Sequence, residues 1–361
     1  MVKPIIPHCS TEHDYSCENP RLFYADGGRF FRVSFSRSPA MEWNQEQFFS
    51  FERGRRGVCK GFSFGSRRRM LDRLNQVSCG AVLPDFVTLT LPDDCFDDSV
   101  TSFAKTAKGH LDTLLKRLHR ACPSACGFWR IEWKARKSGL YEGKLCPHFH
   151  LLIWGLPERL LGVDGETGKE FVESFVPVRD CQLAFSELCA EVLSQHVFKS
   201  LRSGERFFDR KCRNAERLVS GAAVEQTFMS FFDWVSLAWY HVVGTGNVDH
   251  FLVGCRVERI RSWGGVLSYC AKYMSKADSE NFMADVPTGR SWGIFNRGLM
   301  PWAKMVELPL DEESGVRIRR IARRYLERRL GHRVKRHFGI TVYCDVGQFK
   351  RLLEKPPDTP F

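Results

Sequence analysis

The chain has 361 residues, 43% hydrophobic and 13% aromatic, enough to bury one large core or a core with a smaller appendage. It carries no run of about 18 uncharged apolar residues, and its first residues lack the apolar stretch of a secretory signal. The expectation is a soluble, cytoplasmic protein without a membrane span.

The formal net charge is +12, and the excess is clustered. Eight basic residues face one acid between Arg53 and Arg73, and ten face one acid between Arg317 and Arg336. Blocks this dense repel themselves unless an anion neutralises them. They fit either a solvated face or a polyanion surface. Interleaved Phe62, Phe64, Tyr325, Leu326 and Leu330 favour the second, since such side chains stack on or pack against bases. Arg67, Arg68 and Arg69 in the first block, and Arg319, Arg320, Arg323 and Arg324 in the second, are the candidate DNA-binding residues. The 14 cysteines show no repeating framework, and a chain this long needs no disulfides. Cys122 with Cys126, and His8, Cys9, His13 and Cys17, match no standard zinc spacing and read as ordinary thiols and surface residues.

In chain order, residues 1–80 read as a basic, Gly/Arg/Phe-rich extension of short strands and loops. Asp85 to Leu91 is β-branched, alternates, and is stopped by Pro92, as a strand would be. Asp97, Asp98 and Ser99 offer caps for a helix reaching about Arg120, with Phe103, Leu111, Leu114, Leu115 and Leu118 at helical spacing. Gly127 to Lys134 and Pro147 to Trp154 read as two strands of a hairpin. Residues 155–180 form an excursion. Helices are expected over 181–199 and 223–243, a strand from His250 to Ile260, and a final helix from Val266 to Lys276. This order implies an α+β fold with a central antiparallel sheet covered by helices. The expected division is 1–80, a core at 81–300 with a helical insertion at 155–245, and a basic segment at 301–361.

Two constellations carry chemistry. His148 and His150, one residue apart on a strand, point to the same face and form a metal half-site. Glu132, between Ile131 and Trp133, lies opposite or diagonal to that pair across the hairpin. Mixed imidazole and carboxylate ligation with open positions suits Mg²⁺ or Mn²⁺ holding a phosphate oxygen. A bare His-x-His also fits a wet sheet face, but a polar pair opening the apolar run Leu151 to Trp154 needs a reason. Second, Tyr269 and Tyr273 lie along one line of a helix, and Lys272 and Lys276 along another nearby. The duplication gives two nucleophile-plus-cation units. An amphipathic helix packing its tyrosines inward also fits.

With these residues the sequence resembles HUH endonucleases. The Thr88-Leu-Thr strand, the Pro147-His-Phe-His-Leu-Leu-Ile-Trp strand and the Tyr269-Cys-Ala-Lys-Tyr-Met-Ser-Lys helix look like that superfamily's three ordered motifs. They are most similar to the two-tyrosine rolling-circle initiators of small single-stranded DNA phages and related elements. Ser291 to Arg297 is similar to a segment that follows the tyrosine helix. The resemblance covers roughly 84–300 and implies an HUH/RRM-like nuclease core. It also implies His148, His150 and Glu132 as metal ligands, Tyr269 and Tyr273 as nucleophiles, and Lys272 and Lys276 as cations beside the phenolate or phosphate. The implied reaction nicks single-stranded origin DNA or its hairpin, leaving a 5′-phosphotyrosine and a free 3′-hydroxyl. Host helicase and polymerase are implied partners. Gly162 to Glu170 has one residue too many for a phosphate-binding loop and reads as a polar turn. A single-strand transposase, a relaxase and a non-catalytic nucleic-acid-binding protein remain alternatives.

Overall fold

The computed structural model describes residues 20–34, 62–137, 140–163, 170–177, 228–269, 288–334 and 339–354. The described strands are β1 (Arg21–Asp26), β2 (Phe30–Ser34), β3 (Asp85–Thr90), β4 (Cys126–Ala135), β5 (Leu145–Trp154) and β6 (Glu158–Val163). They continue with β7 (Glu170–Pro177), β8 (Phe228–Ser230), β9 (Cys255–Arg259), β10 (Trp292–Phe295), β11 (Lys304–Pro309) and β12 (Gly339–Tyr343). The helices are α1 (Phe64–Leu74), α2 (Val100–Ala121), α3 (Phe231–Val243), α4 (Val248–Val253), α5 (Trp263–Tyr269), α6 (Glu312–Leu330) and α7 (Val346–Glu354). The fold is α+β with antiparallel sheets, and no helix among the described residues is long and apolar enough to cross a membrane.

The chain forms two units, the larger comprising residues 56–71 and 81–301. Its five-stranded sheet runs β10-β4-β5-β3-β9, antiparallel throughout. Strand alternation sends Val87, Leu89, Ile131, Trp133, Phe149, Leu151 and Ile153 to one face, where they enter the main core with α2 and α3. The amphipathic α2 fits this face because Phe103, Ala107, Leu111, Leu114 and Leu118 recur at helical spacing. Ser99 starts the helix as its N-cap, accepting the Ser102 N–H at 3.3 Å. α3 is apolar nearly all round, as a helix packed on several sides must be. Trp239 on α3 lies edge-on to Phe149, and its indole N–H donates to the Thr90 carbonyl at 2.7 Å.

Beyond β5 the expected helical insertion begins instead as β-structure. β6 and β7 form a hairpin, and β7 pairs with β8. Buried Asp85 ties this excursion to the sheet. It accepts from the Ser174 hydroxyl at 2.5 Å, while Arg259 donates to Ser174 at 2.7 Å and pairs with Glu158. Of the polar turn expected over 162–170, residues 162, 163 and 170 belong to β6 and β7, and residues 164–169 lie outside the described residues, as does the helix expected over 181–199. The helix expected over 223–243 is described only from Phe231, after the short β8.

The strand expected from His250 to Ile260 divides in two. Val248–Val253 is helical, because the Asn247 side chain caps it by accepting the His250 N–H at 3.3 Å. Only Cys255–Arg259 joins the sheet. Gly254 between them has no room for a side chain, since a Cβ there would stand 2.3 Å from the His250 ring.

The smaller unit comprises residues 1–55, 72–80 and 302–361. The expected separate N- and C-terminal extensions are therefore joined, because β1 and β2 are flanked by β11 and β12 in the order β11-β1-β2-β12. Leu22, Phe31, Val33, Ile340 and Val342 make one face of that sheet apolar, and Ile318 and Ala322 of α6 bury against it. Residues 64–74, expected as strand or loop, form α1, whose last residues contribute to this unit. Asp72 there accepts from Arg32 at 2.8 Å and from the Tyr343 hydroxyl at 2.5 Å.

Phe149 has no solvent exposure and sits at the centre of the larger core. Phe149→Ala should lower unfolding free energy by about 3–5 kcal/mol, measured by urea denaturation.

Candidate functional site

The face of the five-stranded sheet opposite α2 and α3 carries the candidate residues in two cross-strand rows. Arg256, Thr88, His150, Arg130 and Trp292 stand opposite one another across β9, β3, β5, β4 and β10. In the next row Thr90, His148 and Glu132 are direct partners on β3, β5 and β4. Side chains paired in register share a face, so the hairpin brings Glu132 and both histidines to one surface. Towards the end of β5 that surface turns apolar, with Phe86, Phe128 and Leu152 buried.

His150 is 1% exposed and bonded at both ring nitrogens. Its Nε2 lies 2.7 Å from Glu132 Oε2, and its Nδ1 lies 3.2 Å from the Thr88 hydroxyl. Burial holds its pKa below the usual histidine value, against the opposing pull of Glu132, so the ring is neutral at pH 7. A carboxylate only accepts, so Nε2 carries the proton and Nδ1 accepts from Thr88. The Phe86 ring stacks on the imidazole, with centroids 5.6 Å apart.

Glu132 is itself 6% exposed. Burial pushes its carboxyl up, but hydrogen bonds from His150 and Lys134 outweigh it and bring the pKa down to about 2. Lys134 Nζ donates at 2.9 Å to Oε2, the same oxygen that His150 engages. His148 is half-buried, and burial followed by the Lys134 charge depresses its pKa to about 4. At neutral pH the three candidate ligands are thus two neutral imidazoles and one carboxylate. These charges suit a divalent cation without net loss of a proton, with the His150 proton moving from Nε2 to Nδ1 so that Nε2 can offer its lone pair. The structure closes Glu132 onto His150 and sets His148 opposite in register. Among the described residues no three His, Cys, Asp or Glu side chains are drawn together as a formed metal cage.

The first basic block reaches this same face. Phe62 lies over the Arg130 guanidinium with 4.3 Å to the ring centroid, and Trp292 donates to the Ser66 hydroxyl at 2.9 Å. These contacts fix the start of α1, which carries half-buried Arg67 and exposed Arg68 and Arg69. The second block lies in the smaller unit on α6. There Arg320 is exposed, whereas Arg319, Arg323 and Arg324 are half-buried, with Arg323 3.8 Å from Glu327. Exposed Arg317, Arg328, Arg329 and Arg333 complete the basic surface of that helix and its end.

α5 follows β9 after a link of three residues, and Ser262 caps it by accepting the Gly265 N–H at 3.0 Å. β9 lies two strands from β5, about 10 Å at ordinary strand spacing. α5 therefore departs from the sheet that bears the histidines. Tyr269 is the last described residue of α5, and its side chain lies outside the described residues. Lys272, Tyr273 and Lys276 also lie outside them. Of the thiols weighed for zinc, Cys122 and Cys126 are buried, and the Cys126 thiol is pushed up to about 11 by burial. The group His8, Cys9, His13 and Cys17 lies outside the described residues.

Three residues of this face were missed by sequence reasoning: Thr88, Arg130 and Lys134. The signal was alternation, which places 130, 132 and 134 together and 88 level with 150. Nothing in the local pattern signals that Arg130 is 0% exposed.

The depressed His148 pKa makes stability depend on pH. Between pH 6.5 and about 4 the unfolded chain takes up a proton that the folded site refuses, so this contribution is present above 6.5 and lost as pH falls towards 4. Urea titrations at about pH 7 and pH 4.5 should show His148→Gln losing less stability than the unaltered chain. The expected difference is on the order of 1–2 kcal/mol, allowing for partial exposure.

No family model, curated protein or solved structure matches the chain.

Proposed function

We propose that this protein nicks and rejoins single-stranded origin DNA by tyrosine transesterification, as an HUH-type rolling-circle replication initiator. The observation that carries this reading is the in-register pairing of Glu132 with His148, with His150 bonded to Glu132 on the same face. Two further observations support it. The tyrosine-bearing α5 leaves from the same sheet, and the Arg67–Arg69 block is anchored to the same face through Ser66 and Phe62.

Glu132, His148 and His150 would hold a Mg²⁺ or Mn²⁺ ion. When bound, that ion supplies positive charge to the scissile phosphate and orients it. The remaining work falls to the chain. A tyrosine hydroxyl has an ordinary pKa of about 10 and attacks poorly at neutral pH. Lys272, three residues after Tyr269, and Lys276, three after Tyr273, would favour the phenolate and offset charge on the phosphate oxygens. In the reaction a phenolic oxygen–phosphorus bond forms, the bond from phosphorus to the 3′ oxygen breaks, and the tyrosine loses its proton while the departing 3′ oxygen gains one. The ester is exchanged rather than hydrolysed, so rejoining is the same step reversed and needs no nucleotide. The second tyrosine serves the regenerated origin while the first still holds the original 5′ end.

Affinity is assigned to the arginines of α1 and α6, through neutralised phosphates. Thr88 acts through His150: its hydroxyl donates to Nδ1 while Nε2 carries the proton, and it would turn to accept from Nδ1–H if Nε2 gave its lone pair to an ion. A helicase and a polymerase of the host complete the cycle, since the liberated 3′-hydroxyl is a primer.

A labelled single-stranded origin oligonucleotide incubated with Mn²⁺ should yield a protein–DNA adduct that survives denaturation. Tyr269→Phe combined with Tyr273→Phe should abolish it, and an adduct from the double variant would refute the assignment. His150→Ala should lower cleavage at least about 100-fold while binding persists, as expected of a ligand rather than a structural residue. Equal loss of binding and cleavage would mark the histidine as structural.

A further inference from the structure

Glu132 Oε2 is shared between a neutral imidazole N–H and an ammonium, at 2.7 and 2.9 Å. The ammonium therefore lies where a cation bound to that oxygen would compete with it. Lys134 stands two residues from Glu132 on the same face of β4, and its charge is felt at both His148 and His150. Its side chain is 44% exposed, whereas that of Glu132 is 9% exposed. Such a lysine can swing into solvent at small cost, since its stem is flexible and its ammonium strongly hydrated. Arg130, two positions before Glu132 on the same strand, lacks that freedom because it is wholly buried beneath Phe62.

We propose that Lys134 is the resident counter-cation of the Glu132–His148–His150 face, holding the carboxylate until a divalent ion displaces it. The proposal rests on the metal-site reading above and adds its regulation. A buried carboxylate without a cation is costly, so the metal-free protein gains from the pair. An ion that takes the same oxygen breaks the pair, so the pair weakens metal affinity. Losing Lys134 therefore has two effects of opposite sign, lower stability without metal and tighter metal binding. A lysine that merely braced the hairpin would produce the first effect without the second. Once displaced, the ammonium stands at the rim of the site, where a nucleic-acid phosphate is its natural partner.

The test is Mn²⁺ binding to the full chain without DNA, followed by titration calorimetry and by the electron paramagnetic resonance of free Mn²⁺. Lys134→Met and Lys134→Gln should each bind Mn²⁺ roughly three- to tenfold tighter, and Lys134→Arg within about twofold of the unaltered chain. Exposed Lys137 is on the same hairpin, and Lys137→Met, which removes the same charge further away, should leave affinity unchanged. Thermal unfolding in chelator should show Lys134→Met folded but with a lower Tm. Unchanged or weaker Mn²⁺ binding by both Lys134→Met and Lys134→Gln would overturn the proposal, as would an equal gain in Lys137→Met. A paired His148→Ala and His150→Ala variant separates the two readings. If it loses Mn²⁺ while the Lys134 variants do not tighten, only the counter-cation role fails. If it retains the unaltered affinity, or the unaltered chain binds no Mn²⁺, the metal site fails and the role of Lys134 with it.

Discussion

The arrangement depends on the ten-residue antiparallel pairing of β4 with β5, from Cys126 opposite Trp154 to Ala135 opposite Leu145. Strand side chains alternate with a period of two, so this register decides at once which residues enter the core and which form the site. Ile131, Trp133, Phe149 and Leu151 go to the helices; Arg130, Glu132, His148 and His150 go to the other side. A slip of one residue would exchange the two sets, burying the acid and the imidazoles against α2 while exposing the aromatic core. The apolar face therefore enforces the polar one. Core packing of this size outweighs the cost of leaving two histidines, a glutamate and an arginine in a largely dry layer.

That polar layer is compensated internally. Glu132 receives two donors on one oxygen, His150 is bonded at both nitrogens, and Arg130 lies beneath an aromatic ring. Burial keeps the imidazoles neutral, and the hydrogen bonds from His150 and Lys134 keep the carboxylate ionised. The net charges that satisfy the fold, two neutral imidazoles and one carboxylate, are those a divalent ion would require, once the His150 proton moves from Nε2 to Nδ1. One set of interactions thus stabilises the sheet and prepares a donor set.

Much of this could be read from the amino acids because it follows from short-range periodicity. The Thr88 strand, the Ser99-capped helix and the histidine hairpin all appear where alternation and helical spacing put them. The misread segments fail for identifiable reasons. Val248 to Val253 is too short for helical periodicity to declare itself, and its part from His250 reads as the start of a strand until Asn247 is seen to cap the helix. The joining of β1 with β11 links residues some 280 positions apart in sequence, such as Arg21 and Pro309, and no local pattern encodes such a pairing. The arginines of α1 and α6 were legible as blocks but not as faces. Exposed Arg320 and half-buried Arg319 look alike until Ile318 and Ile321 fix which side is inward.

The central claim is that a divalent ion and the scissile phosphate meet on the sheet face between Glu132, His148 and His150. Anomalous scattering from crystals grown with Mn²⁺ tests it most directly. The account predicts a single strong peak within bonding distance of the Glu132 carboxylate and both imidazoles. A well-occupied ion ligated elsewhere, with those three side chains unchanged, would contradict it.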